Sequence, residues 1–167
     1  MGKTFKTISL GKLPNVLDAK LVGKLLYLAL PSGFAIFDCE TDKILNYEQI
    51  DLKTRDFVTS IAVTSNKVFL GSSMGIKVFS LDGKLQEVLT KKNGFVSSEV
   101  QDLIVNKENL YVATRDGVAV SKDGGKTFHN YSKKDGMWYS SINVLNVTPS
   151  GKVYAGSVRG LFVADGL

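Results

Sequence analysis

Asn109-Leu110-Tyr111-Val112-Ala113-Thr114-Arg115-Asp116-Gly117-Val118-Ala119-Val120-Ser121 is the stretch on which the fold turns. Two short runs rich in Val, Ala and an aromatic flank Arg115-Asp116-Gly117, which reads as two strands joined by a tight turn. Upstream, Val68-Phe69-Leu70-Gly71 leads to Gly75 and Leu25-Leu26-Tyr27-Leu28 leads to Gly33; downstream, Val153-Tyr154-Ala155-Gly156 leads to Gly160. The glycine returns at spacings of 42, 42 and 43, and Tyr27, Phe69, Tyr111 and Tyr154 keep the same period. Four copies of a strand-rich unit this long predict a repeat architecture.

The third unit is the clearest. Val100 to Val105, Asn109 to Thr114, Val118 to Lys122 and Lys126 to Tyr131 read as four strands. Between them lie Asn106-Lys107-Glu108, Arg115-Asp116-Gly117 and Asp123-Gly124-Gly125, all turn formers. Strands joined by such short turns are antiparallel, so each unit is a four-stranded meander, the blade of a β-propeller. The fold class is therefore all-β: one propeller domain over residues 1–167 with blades at 16–50, 58–90, 100–131 and 142–167 plus 3–8. Residues 3–8 enter the last blade because Gly2-Lys3-Thr4-Phe5 matches Gly125-Lys126-Thr127-Phe128, while Ala164-Asp165-Gly166-Leu167 follows a third strand. An N-terminal strand that completes the last blade leaves no unpaired edge. It closes either a four-bladed ring within one chain or an eight-bladed ring shared by a homodimer.

Ser121-Lys122-Asp123-Gly124-Gly125-Lys126-Thr127-Phe128 fits Ser/Thr-x-Asp-x-Gly-x-Thr-Phe/Trp at every position and resembles the Asp box of the bacterial neuraminidase (BNR) repeat. The oxygens of Ser121 and Asp123 are placed to accept turn N–H groups, Gly124 or Gly125 to take positive φ, and Phe128 to pack beneath. The resemblance implies a structural role for Ser121, Asp123, Gly125, Thr127 and Phe128. A looser similarity, carried by Gly11-Lys12-Leu13-Pro14-Asn15-Val16 and by Val100-Gln101-Asp102-Leu103 leading to Leu110-Tyr111-Val112-Ala113-Thr114, is to propeller repeats in the sensor regions of two-component regulators. It implies the fold and not the sensor role.

Composition bounds the chemistry. The 167 residues include one cysteine, Cys39, and one histidine, His129, so no disulfide within the chain and no transition-metal site is expected, nor any other cofactor. No apolar run approaches membrane-spanning length and the N-terminus lacks a secretory apolar segment, from which a cytoplasmic location without membrane association is expected. A net charge of +5 without basic runs longer than two does not favour nucleic acid. Gly125-Lys126-Thr127 is not a phosphate loop, because Val120 stands where that motif needs glycine.

In a meander, the turns between second and third strands share an end with the connections between blades. That end collects Lys12, Lys53, Arg55, Lys91, Lys92, Arg115, Lys133, Lys134 and Arg159 against Asp51, Asp56, Glu99, Asp116 and Asp135, a net +4. It also holds Trp138, Tyr139, Phe57 and Phe95. Loops on one end of a rigid scaffold are where propellers bind, and arginine recognises carboxylate or phosphate through two parallel donors. Arg55, Arg115, Arg159, Trp138, Tyr139, Phe57 and Phe95 are therefore the candidate binding residues, and no catalytic residue is assigned. The expected function is a non-enzymatic module for a protein or a ligand, anionic or carbohydrate in character. A sialidase-like glycoside hydrolase is the alternative, weakened by the lack of an Arg-Ile-Pro segment and of any arginine before Arg55.

Overall fold

The computed structural model describes residue 4 and residues 6–11, 13–50, 56–95 and 97–167. They form four antiparallel sheets in sequence order. The first blade holds β1 (Asp18–Val22), β2 (Leu25–Leu30), β3 (Gly33–Asp38) and β4 (Lys43–Gln49). The second holds β5 (Val58–Val63), β6 (Lys67–Ser72), β7 (Gly75–Ser80) and β8 (Leu85–Leu89). The third holds β9 (Val100–Asn106), β10 (Asn109–Thr114), β11 (Gly117–Ser121) and β12 (His129–Tyr131). The fourth has three strands, β13 (Val144–Val147), β14 (Lys152–Ser157) and β15 (Gly160–Asp165). Each sheet is ordered as its strands occur in the chain, which is the meander that the short turns require. Two single 3-10 turns, Lys91–Asn93 and Lys133–Asp135, lie in the connections after β8 and β12. No helix among the described residues is long and apolar enough to cross a membrane.

Alternating side chains give each blade two apolar faces. Tyr27, Phe69 and Tyr111 point toward the following blade, and this explains their period: Tyr27 packs with Ile61, Val68 and Leu70, Phe69 with Leu103, Leu110 and Val112, and Tyr111 with Leu145, Val153 and Ala155. All three aromatics are buried, whereas Tyr154 in the fourth blade is half-buried. Burying a large apolar side chain is worth about 1.5–3 kcal/mol, so each of these aromatics contributes substantially to its junction. Carboxylates reinforce two of them. Asp18 accepts the N–H of Ile61 at 3.0 Å, and Asp102, two blades later, accepts that of Leu145 at 2.8 Å. Burial pushes the Asp102 carboxyl above its ordinary pKa, although the N–H groups of Leu145 and Leu103 favour its ionised form.

The recurring glycine also has a steric cause. At Gly33, Gly75 and Gly117 a Cβ would stand 2.0, 2.2 and 2.0 Å from the carbonyl oxygens of Glu48, Leu89 and Tyr131 on the outer strand. Each of these glycines has φ between 130° and 150°, a region open almost only to glycine.

One strand begins later than the spacing predicts. The fourth strand of the third blade was expected from Lys126 and starts at His129, because the N–H groups of Lys126 and Thr127 are spent on Asp123 and cannot join the ladder. In the fourth blade, the expected strand 3–8 falls partly outside the described residues, at Lys3 and Phe5. Thr4 and residues 6–8 carry no strand assignment, and β15 is the last strand of its sheet. The N-terminal segment instead runs along the first blade, where Lys6 pairs with Asp42 and where Leu10 and Leu13 cover Leu28, Leu30, Ala35 and Phe37.

Successive blades meet through their inner strands, β1 on β5, β5 on β9 and β9 on β13. Among the described residues β13 and β1 form no such junction, and Val144, Leu161 and Val163 on the far face of the fourth blade are exposed. The four blades are an open arc.

Candidate functional site

The turns between second and third strands are built alike. Ser72, Thr114 and Ser157 each donate a hydroxyl hydrogen bond to the carbonyl of the glycine three residues on, at 3.1, 2.9 and 3.0 Å. The same hydroxyls accept the N–H groups of Met74, Asp116 and Arg159. These small cages lift residues 73–74, 115–116 and 158–159 off the sheet ends. The inter-blade connections arrive at the same end, where Ser73 donates its N–H to Phe57 O and Ile142 donates its N–H to Thr114 O.

Aromatic and cationic side chains gather on the fourth blade. Trp138, 63% exposed, lies 5.9 Å from the ring of Phe162 and 6.2 Å from that of Tyr139. Arg159 sits over the Tyr139 ring at 5.8 Å, within cation–π range. Arg159 has no carboxylate partner among the described residues. Phe162 is the member that the sequence reading missed; its alternation with Leu161 and Val163 in β15 is the signal that points it toward this cluster.

The other expected binding residues lie elsewhere. Arg115 is exposed and paired with Glu99. Phe57 is exposed at the junction of the first two blades, its N–H donated to Ser73 Oγ at 3.2 Å. Phe95 is a correction: it is buried, packed edge to face on Phe128 with ring centroids 4.4 Å apart, and offers nothing to a ligand. Its apolar ring follows Gly94 (φ 97°), which turns the chain inward. Arg55, like Lys12 and Lys53, lies outside the described residues.

Asp56, read from sequence as a loop carboxylate, is almost fully buried and bonded to Lys77 Nζ at 2.6 Å. Burial pushes its pKa up, but the Lys77 ammonium and the Ser72 and Ser73 hydroxyls outweigh that and hold it below the ordinary value. Lys91, Lys92, Lys133 and Lys134 are exposed on the two 3-10 turns, and among the described residues none of them is in an ion pair. His129 is exposed and stacks at a tilt against Tyr131. Among the described residues no three His, Cys, Asp or Glu side chains converge on a metal position.

The Ser121–Phe128 turn is a closed hydrogen-bond unit at the opposite end. Asp123 Oδ1 accepts the N–H groups of Lys126 (3.1 Å) and Thr127 (3.0 Å), and its Oδ2 accepts the Thr127 hydroxyl at 2.6 Å. Ser121 Oγ donates to Asp123 Oδ1 and accepts the Gly125 N–H, both at 2.8 Å. The Thr127 hydroxyl and N–H, followed by the Ser121 hydroxyl, hold the Asp123 carboxyl far below the usual carboxylate range. Gly124 and Gly125 take φ of 73° and 93°. The Ser121 and Asp123 oxygens are engaged within the turn, and the Gly124 carbonyl accepts from Lys67 Nζ of the second blade at 3.0 Å, so the turn's bonds are structural.

Comparisons with known proteins bear on the fold. No family model matches the chain, and no curated protein matches it. Among solved structures, the computationally designed Ika4 protein aligns over 99% of both chains at TM-score 0.73 and 17% identity. Kuenenia stuttgartiensis hydrazine synthase aligns over 98% of this chain and 49% of its own at TM-score 0.73 and 13% identity. The extracellular domain assigned to the hybrid two-component system BT3049 of B. thetaiotaomicron aligns over 98% of this chain and 25% of its own at TM-score 0.76 and 18% identity. The chain thus spans about half of one of these natural proteins and a quarter of the other. At such identities the likeness shows the architecture alone: an all-β chain of propeller blades.

Proposed function

We propose that the chain is a non-enzymatic binding module whose loop end receives a ligand or partner carrying an anionic or carbohydrate group. The observation that carries this reading is the exposed Trp138 indole, held by Phe162 and Tyr139, with the Arg159 guanidinium, which has no carboxylate partner among the described residues, on the same cluster. A flat aromatic surface takes the apolar face of a sugar ring, and an adjacent guanidinium takes a carboxylate, phosphate or sulfate. The lysines of the two 3-10 turns add positive potential at the same end. An extracellular domain of a two-component system shares this architecture, which is in keeping with a binding role, while hydrazine synthase shares it too.

A sialidase-like reading finds less support. Of the carboxylates at this end, Asp56 is bonded to Lys77, Glu99 to Arg115, and Asp135 accepts the Ser132 N–H at 2.8 Å. That leaves Asp116 as the carboxylate at this end with no such bond among the described residues, whereas glycoside hydrolysis needs a pair.

An array of neutral and acidic glycans probed with the wild-type chain, Trp138→Ala and Arg159→Ala tests the proposal. Binding confined to acidic glycans and reduced at least tenfold by either substitution is expected. Equal retention by all three proteins, or turnover of a fluorogenic sialoside, would overturn it.

A further inference from the structure

The fourth blade differs from the other three in a way that marks a place for one more strand. Gly160 keeps φ at 137°, like Gly33, Gly75 and Gly117, yet a Cβ there meets nothing closer than Trp138 Cζ2 at 3.7 Å. In the other blades the outer strand's carbonyl oxygen stands at that point. Beneath it, a cavity of about 130 Å³ opens between the third and fourth blades, lined by Tyr131, Met137, Phe162, Ala164 and Leu167 among others. In the preceding junction the same region is filled by Phe128 against Phe95, and Met137 is the residue 42 positions after Phe95.

The N-terminal segment, for its part, already stands against the first blade as the outer strand of a preceding blade would. Asn46, on the outer strand of the first blade, donates to Asp82 O in the turn between the third and fourth strands of the next blade. Lys6 reaches Asp42, in the corresponding turn of the first blade. Leu10 and Leu13 cover the first blade's rear face, as Phe95 and Met137 cover those of the third and fourth. The inner-strand part of that rear face, Leu17 and Leu21, is exposed, as are Val144, Leu161 and Val163 on the front of the fourth blade. Front-to-rear contact is how every pair of blades in the chain already packs.

We propose that a second copy of this chain completes the fourth blade: the N-terminal segment of each copy, with Lys6, Thr7 and Ile8, adds as the outer strand to β15 of the other, closing a two-fold ring of eight blades. Strand addition pairs the β15 edge, which no described residue covers, and two-fold symmetry makes both junctions identical. The register follows from β11 and β12, where Val118 faces Tyr131, Ala119 faces Asn130 and Val120 faces His129. Matching Gly160 to Gly117 and the Gly2-Lys3-Thr4-Phe5 sequence to Gly125-Lys126-Thr127-Phe128 puts Leu161 opposite Ile8, Phe162 opposite Thr7 and Val163 opposite Lys6 of the second copy. On that register the added strand passes the cavity beside Met137 and Ala164, and Val163 and Lys6 lie on the face toward Asp42, where Lys6 already is. The strand also runs beside Phe162 and Gly160, so the Trp138 cluster gains a wall from the partner; the inference stands whether or not that cluster binds a ligand.

The test uses two versions of the chain in a Cys39→Ser background, one carrying Leu161→Cys and the other Ile8→Cys, unfolded together, refolded and oxidised. A disulfide between the two versions, and a light-scattering mass twice the 18.2 kDa of one chain, are expected. Leu161→Asp, at a position 63% exposed in the single chain and opposite the apolar Ile8 in the proposed pairing, should halve the mass with the β-type circular dichroism unchanged. A wild-type mass of 18.2 kDa, or a crosslink that forms only when both cysteines are on one chain, would overturn the proposal. A Leu161→Asp protein that stays at twice the chain mass would overturn it equally.

Discussion

Phe95 and Phe128 meet edge to face, 4.4 Å between ring centroids, and so join the connection after the second blade to the turn that ends in the third blade's outer strand. Edge-to-face pairs gain about 0.5–1.5 kcal/mol beyond the area they bury. Phe95→Ala, at a buried position, should cost about 3–4 kcal/mol, and Phe128→Ala about 2–3. Urea melts of the two single variants and the double variant should show a coupling near 1 kcal/mol. Strict additivity would mean that the two rings stabilise the junction independently.

Asp123 and Asp102 are both hydrogen-bonded to backbone N–H groups, yet their pKa values move in opposite directions. The Asp123 carboxyl is lowered chiefly by Thr127, so its stabilising contribution is present above the unfolded value of about 3.9 and is lost as pH falls through its lower folded value. Asp102 is raised chiefly by burial, so its contribution is full below about pH 3.9 and fades as pH rises through its higher folded value. Asp123→Asn should therefore lose more stability at pH 7 than at pH 3, and Asp102→Asn more at pH 3 than at pH 7. Thermal melts of each variant against wild type at the two pH values check both signs.

The Asp123 side chain does the work of a helix cap for the Lys126 and Thr127 N–H groups. Asp123→Ala should cost about 1–2 kcal/mol at neutral pH, in the range of lost caps. Hydrogen exchange should speed up first at Lys126 and Thr127, and unchanged protection there would place the turn's stability in the glycines instead.

Lys77 and Asp56 form a pair with side chains 13% and 5% exposed. Removing one partner strands a buried charge, so Lys77→Met or Asp56→Leu alone should cost about 3–5 kcal/mol. The double variant should recover much of that loss. A double variant as unstable as the sum of the singles would show that Ser72 and Ser73, rather than the ion pair, set the cost.

Gly117 and Gly160 are equivalent in sequence and unequal in space. Gly117→Ala drives a Cβ into Tyr131 O and should cost several kcal/mol, about 3 or more, whereas in a single chain Gly160→Ala should cost only about 1 kcal/mol for its positive φ. Measured at low micromolar protein, where assembly is weakest, the two midpoints should separate clearly.

The repeat and everything local to it were legible in the chain. Alternation, turn chemistry and the Ser121–Phe128 match are properties of residues a few positions apart, so their hydrogen bonds close within the segment that encodes them. That is why the four meanders, the recurring glycine and the Asp123 turn could be read directly. The candidate site was legible only as a list of residues sharing one end of the blades. Whether an aromatic in a connection plugs a junction, as Phe95 does, or faces water, as Trp138 does, depends on how far the chain turns inward after Gly94 and Gly136 and on what stands opposite. The same holds for Asp56, whose partner Lys77 lies 21 residues on, across the blade. Above all, the curvature of the ring belongs to no single repeat. It is the sum of the small rotations at the Tyr27, Phe69 and Tyr111 junctions, and only the packed structure shows that three of them leave the arc open.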